Sequence, residues 1–335
     1  MGGQADDGYL RAVQPREFRF PQDHGAHTGF QTEWWYVTGN LDGEDGRRFG
    51  FQWTLFRIAL RPDAPESSSA WRVSHIWMGH FALSDGASGR HLSFERFSRE
   101  ALGLTGVEGE PPRVWLENWS MNFAAEPWRL QAETPEIGLD LNLSPLGGVV
   151  LQGDRGLSQK SSAPGNASYY YSVPRLQASG RIRLNGKELA VSGLAWLDRE
   201  WSTSALGPDQ QGWDWFSLQL DDGSDLMYYR LRRAGGSTDP HSAGTLRTAE
   251  GEVVHLGSTD VELRPSDSWT SPEGTVYPVA WQMSIPSRSL ELTIKPLIPD
   301  QEMRLRVRYW EGAVDVSGSR QGRGYLELAG YASGS

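Results

Sequence analysis

Turn signals punctuate this chain too often for long helices to form. Asp42-Gly43, Asp45-Gly46, Asn185-Gly186, Asp222-Gly223 and Glu311-Gly312 all read as tight turns, because glycine tolerates the positive φ that such turns need. With 39 Gly and 19 Pro in the chain, uninterrupted stretches are short. Those stretches are strand-like. Residues 33–41 (EWWYVTGNL), 49–58 (FGFQWTLFRI), 213–220 (WDWFSLQL) and 226–232 (LMYYRLR) are rich in aromatic and β-branched side chains. Residues 181–191 (RIRLNGKELAV) predict a hairpin closed by Asn185-Gly186. Helical periodicity is weak throughout. The pattern argues for an all-β chain of barrels or sandwiches with little helix.

At roughly 150 residues per domain, a chain of 335 residues suggests two domains. Residues 144–168 are rich in Gly, Ser and Pro and read as a linker or long loop. The expected division is a first β-domain over 1–165 and a second over 166–335. Residues 61–70 (RPDAPESSSA) read as a further surface loop. There is also a hint of duplication. Laying Trp213 on Trp34 brings Trp215 onto Tyr36, Phe216 onto Val37, Leu220 onto Leu41 and Asp221 onto Asp42.

Composition removes several function classes. A net charge of −10 with mixed signs gives no footprint for nucleic acid. The chain has no cysteine, which rules out disulfides and thiolate metal sites. No window of about 18 apolar residues reads as a membrane-spanning helix. The first ten residues, MGGQADDGYL, lack the basic and apolar regions of a signal peptide. That leaves a cytoplasmic chain, or a secreted or periplasmic one whose leader has been removed; the Gly-Gly after Met1 favours removal. Phosphate-binding glycine loops, Gly-x-Ser-x-Gly elbows and His-Glu-x-x-His motifs are missing.

The chain carries 15 Trp beside 11 Tyr and 11 Phe, and Trp suits half-wet pockets. On a strand, Glu33, Trp35 and Val37 share one face and Trp34, Tyr36 and Thr38 the other. A Glu among Trp rings either titrates high, as a general acid, or pairs with an arginine such as Arg57 or Arg199. In GLAWLDREWS (193–202), Trp196, Asp198 and Glu200 share a face. Two carboxylates so placed repel, so one should titrate high. They form the best acid/base candidate. His75 and His80 point to opposite faces of one strand, and His80 is the better inward candidate. Asp23, His24 and His27 read as a polar loop capping a barrel in preference to a metal site. A third cluster is Trp213-Asp214-Trp215, followed by Tyr228-Tyr229-Arg230.

Together PQDHGAH, TEWWYVTGNL, HFALSD, SGLAWLDREWS, WDWFSLQL and YWEGAVDVSG…GRGYLELAGY resemble the AttH-like, carotenoid 1,2-hydratase-related family, from about Phe20 to Tyr331. The resemblance implies two packed lipocalin-like β-domains, often behind a secretion leader. It implies acid-promoted hydration, isomerisation or cyclisation of an isoprenoid, carotenoid or polyene, with no cofactor. Protonating an alkene needs a positioned acid, and the resulting cation needs aromatic faces. Asp198 and Trp201 match the hydratases' Asp-His-Asn-Trp stretch, but Arg199 replaces its His. Tyr228 matches a downstream Tyr, but Arg230 replaces the Asp expected beyond it. The expected catalytic groups are Asp198 and Glu200, with Glu33 as an alternative donor. The expected lining is Trp34, Trp35, Tyr36, His80, Trp196, Trp201, Trp213, Trp215 and Tyr228. The rival expectation is a non-catalytic lipid carrier serving an envelope exporter.

Overall fold

The computed structural model describes residues 8–62, 74–203 and 206–332. Its strands run in chain order, and their pairing is antiparallel throughout. β1 (Thr32–Gly43), β2 (Arg48–Ala59), β3 (His75–Asp85) and β4 (Arg90–Arg99) form a meander. Short strands follow: β5 (Thr105–Glu108), β6 (Arg113–Leu116), β7 (Trp119–Asn122) and β8 (Trp128–Glu133). Then come β9 (Ile137–Pro145), β10 (Val150–Leu151), β11 (Leu157–Gln159), β12 (Ala167–Leu184) and β13 (Lys187–Ser202). The second half holds β14 (Gln210–Leu220), β15 (Asp225–Arg233), β16 (Ala243–Arg247), β17 (Val253–Leu256) and β18 (Glu262–Thr270). It ends with β19 (Val276–Ile285), β20 (Leu290–Pro296), β21 (Glu302–Arg304), β22 (Arg308–Gly318) and β23 (Gly322–Leu328). Two 3-10 turns are the only helical elements among the described residues.

These strands make two curled, barrel-like sheets, as the turn spacing predicts. The first has the order β4-β3-β2-β1-β13-β12-β9-β8-β7-β6-β5, with β10 and β11 added to β12. The second has the order β17-β16-β15-β14-β23-β22-β20-β19-β18, with β21 added to β22. The first sheet curls until β3 meets β6 and β7. A Cβ added at Gly79 would sit 2.8 Å from Leu116 and 3.0 Å from Trp119. Packed side chains fill both interiors. Trp35, Trp53, Trp77 and Trp119 are fully buried in the first, and Trp281 and Trp310 in the second.

The outer faces of β1, β12 and β13 lie against those of β14, β15, β22 and β23. A separate apolar cluster there joins Tyr36, Tyr170 and Trp196 to Trp215, Met227, Tyr229 and Tyr325. Both faces of the central strands are therefore buried, one in a barrel and one in this seam. Gln219 reaches across to the carbonyls of Pro174 and Ala195, and Asn40 to that of Gly324. β1 and β14, the strands that carry the Trp34 and Trp213 segments, face each other here: the Tyr36 ring meets the Trp215 ring edge-on, 5.2 Å between centroids.

Three expectations need correction. Residues 144–168 do not separate the sheets. They carry β10 and β11, and β12 and β13 beyond them return to the first sheet beside β9 and β1. The chain crosses to the second sheet between Ser202 and Gln210, not at 165/166. Glu311-Gly312 is not a turn but lies inside β22, where the glycine makes room: a Cβ added to it would sit 2.2 Å from Gln301 Cδ. Most of the 61–70 loop lies outside the described residues. The Asn185-Gly186 turn is as expected, with φ values of 52° and 76° between Leu184 and Lys187.

Candidate functional site in the seam

Strand register assembles the seam in rows. Asp198 on β13 stands between Tyr36 on β1 and Ser172 on β12. The same row continues through Thr54 on β2 and His80 on β3 to Glu95 on β4. The next row places Glu200 between Trp34 and Tyr170. On the opposing sheet, Glu311, Glu327, Trp215 and Tyr229 form one row across β22, β23, β14 and β15. Two carboxyl-bearing surfaces thus face each other.

Asp198 is the centre of the first surface. It is buried and has no basic partner among its contacts. Ser172 Oγ donates to its Oδ1 at 2.5 Å and Trp196 Nε1 at 2.7 Å, while Tyr170 Oη donates to Oδ2 at 2.5 Å. Burial raises its pKa to about 7 against those three donors, and the neighbouring Glu200 adds to the rise. Tyr170 in turn accepts from Trp215 Nε1 at 3.1 Å. The chain Trp215–Tyr170–Asp198 therefore spans both barrels. Glu200 behaves differently. Lys160 Nζ lies 3.1 Å away and Ser168 Oγ donates to it. Burial opposes the Lys160 charge, yet Glu200 and Tyr229 beside it hold its pKa up. Lys160 also sits 4.2 Å over the Tyr229 ring.

The opposing surface holds carboxyls with less support. Glu311 is buried, and burial together with Glu327 beside it drives its pKa well above the carboxylate range. Burial raises Glu327 to about 7 against a hydrogen bond from Trp213, with Asp198 and Glu200 contributing. The Glu327 carboxyl lies deep in the packing, although part of its side chain still meets solvent. Trp34, Lys160 and Trp213 are likewise half-buried. These four residues mark the mouth of the seam.

The structure divides the residues expected from sequence. Asp198, Glu200, Trp34, Tyr36 and Trp196 meet Trp213 and Trp215 in the seam. His80 lies at its edge, with Nδ1 2.7 Å from Tyr309 Oη. Glu33, Trp35 and Trp201 instead lie inside the first barrel, and Tyr228 inside the second. Glu33 is bound by Arg57 and, at 3.2 Å, by Arg199. Against its burial, His27, Arg57 and Arg199 hold its pKa well below the usual range. It cannot serve as a proton donor there. His27 bridges Glu33 to Asp23, and His24 bonds Tyr171, as a polar cap would. Arg199 stacks 3.8 Å over Trp35, and Arg230 pairs with Asp214 at 2.6 Å. Arg199 and Arg230 thus both point into barrel interiors, away from Asp198.

Tyr170, Lys160, Glu311, Glu327 and Tyr325 were not anticipated. The signal for two of them was present. Glu311 in YWEGAVDV and Glu327 in YLELAGY each stand among apolar residues of a strand.

The fold and site define a two-barrel β protein with a buried acid-and-phenol seam between its barrels. The chain belongs to the AttH-like family, whose model matches residues 11–331. A crystal structure assigned as an AttH from Nitrosomonas europaea is 37% identical, with a TM-score of 0.85, covering 96% of this chain and 100% of that one. Kievitone hydratase from Nectria haematococca shares the fold at 15% identity and TM-score 0.70, covering 96% of each chain. CghA shares it at 16% identity and TM-score 0.54, covering 91% of this chain and 90% of its own. No curated protein sequence matches the chain.

Proposed function

We propose that this protein binds a hydrophobic small molecule of isoprenoid, carotenoid or polyene type in the seam and promotes its hydration, isomerisation or cyclisation by proton transfer. The observation that carries the reading is Asp198: a buried carboxyl, unpaired with any base, titrating near neutrality between aromatic rings. A group with a pKa near the working pH can both give and regain a proton. Protonating a double bond leaves a carbocation, and the faces of Trp196, Trp215 and Tyr36 are placed to steady it. Tyr170 and Trp215 position the carboxyl by hydrogen bonds. One protein of this fold is named as a hydratase, in line with this reading, and CghA has been solved with Sch210972, in line with a ligand-binding role.

The test incubates the protein with lycopene and, separately, with retinol, a polyene that carries a hydroxyl, and follows products by mass spectrometry. Hydration appears as the gain of one water, and isomerisation or cyclisation as a new peak of unchanged mass. Asp198→Asn is expected to lower turnover by about a hundredfold or more, the range of a lost general acid, with its thermal transition retained. Full turnover by the folded variant would overturn the assignment. Tight binding without turnover by the unmodified protein would favour the carrier.

A further inference from the structure

The inner end of the seam is unlike its mouth. Tyr325 Oη, Asn40 Oδ1 and Gln52 Oε1 are buried without a hydrogen-bond partner, and beside them the Tyr36 and Tyr309 phenols reach the Glu311 carboxyl. They belong to one neighbourhood. Tyr36 and Tyr325 each interact with Glu311 and with one another. Tyr325 Oη hangs over Gly50, 3.4 Å from where its Cβ would be. Asn40 is the cross-strand partner of Gly50, and Gln52 lies two residues along the same strand face. Buried polar groups are normally paired, and each unpaired one destabilises the fold. A cluster of three such atoms beside a buried carboxyl is a cost that a bound molecule can offset.

We infer that this inner cluster is a recognition subsite for the oxygenated end of an uncharged ligand, one bearing hydroxyl and carbonyl groups on an apolar ring. The inference rests on the reading of the seam as the ligand site. The chemistry follows from the groups. The Tyr325 phenol donates or accepts and the amide oxygens of Asn40 and Gln52 accept, beside a Glu311 carboxyl that burial and Glu327 push toward its neutral form. A bare hydrocarbon would satisfy none of them. An anion would meet carboxyls and no cation of the cluster. An ammonium group would have to shed its water in a buried place where the facing carboxyl is neutral. The subsite thus selects for oxygenation, while the aromatic rows nearer the mouth accept the apolar body.

Matched probes test this on the intact protein: naphthalene, a naphthalenediol and naphthylmethylamine, compared by calorimetry. The diol is expected to bind about tenfold or more tightly than naphthalene, the effect of one well-made hydrogen bond to a buried group. Tyr325→Phe and Glu311→Gln are each expected to shrink that preference toward one while leaving naphthalene affinity unchanged. Tyr325→Phe should also raise the melting temperature of the ligand-free protein, because it deletes an unpaired buried hydroxyl. The preference is measured in Asp198→Asn as well, where it is expected to persist, so failure of the catalytic reading is separable from failure of this one. Equal binding of diol and naphthalene, a preference for the amine, binding of neither, or a preference untouched by both substitutions would each overturn the subsite.

Discussion

Glu33 and Asp198 are acidic residues on adjacent strands with opposite fates, and strand face decides between them. Glu33 points into the first barrel, where Arg57 and Arg199 hold it ionised; Asp198 points into the seam, where no cation reaches it. Glu33→Gln should therefore leave two arginines buried without their counter-charge. A loss of about 3–5 kcal/mol is expected, read as a lower urea midpoint. The seam carboxyls carry the opposite linkage. Burial raises Asp198 and Glu327 to about 7 in the fold, from ordinary values of 3.8 and 4.5. Their contribution to stability is thus complete below the lower values and is lost as pH rises through about 7. Urea midpoints should fall from pH about 5 to about 8, and Glu327→Gln should flatten that fall. Alternation made the divergence of Trp34 and Trp35 legible, and with it the shared face of Asp198 and Glu200. It could not tell barrel from seam, because both faces of these strands are buried and apolar.

At the scale of the element, β2 shows how closely the two sheets approach. Gly50 faces Ala313 of β22, and a Cβ on Gly50 would lie 2.5 Å from the Ala313 Cβ. Gly50→Val should force the sheets apart and cost about 1–3 kcal/mol, seen as a lower melting temperature. The same logic explains two misreadings of the sequence. Glycine at 312 serves close packing inside a strand, yet in isolation Glu-Gly looks like a turn. The 144–168 segment has linker composition, but composition is local, whereas the pairing of β12 with β9 and of β13 with β1 is not. The hairpin at 181–191 was readable because its turn and its pairing are both local.

At the scale of the molecule, the two barrels are joined by packing and by polar bridges. Arg175 binds Asp225 at 2.8 Å, Arg48 binds Asp315 at 2.6 Å and Arg323 binds Asp42 at 2.7 Å. The last two lie at the exposed rim and add little, about 0–1 kcal/mol each. The buried aromatic cluster should therefore dominate docking. Residues 1–203 and 206–335, expressed together as separate chains, should co-purify, and Trp215→Ala should weaken that association about tenfold or more. Recovery of the two pieces apart from each other would show that the covalent link does the holding. The two-barrel architecture was legible from turn spacing and the Trp34/Trp213 correspondence. The site was half legible: its acid on β13 announced itself, while its partners on β22 and β23 are brought opposite only by the docking.

That the backbone passes from one sheet to the other a single time has a further consequence. The seam is the interface of a tethered heterodimer, and its two halves meet at an effective concentration set by a connector of only a few residues. Were the halves to separate, the tether would make their re-docking intramolecular and so faster than that of free fragments. Each wall of the seam belongs to a different barrel, so a substitution on either side of the tether alters one wall and leaves the fold of the other untouched.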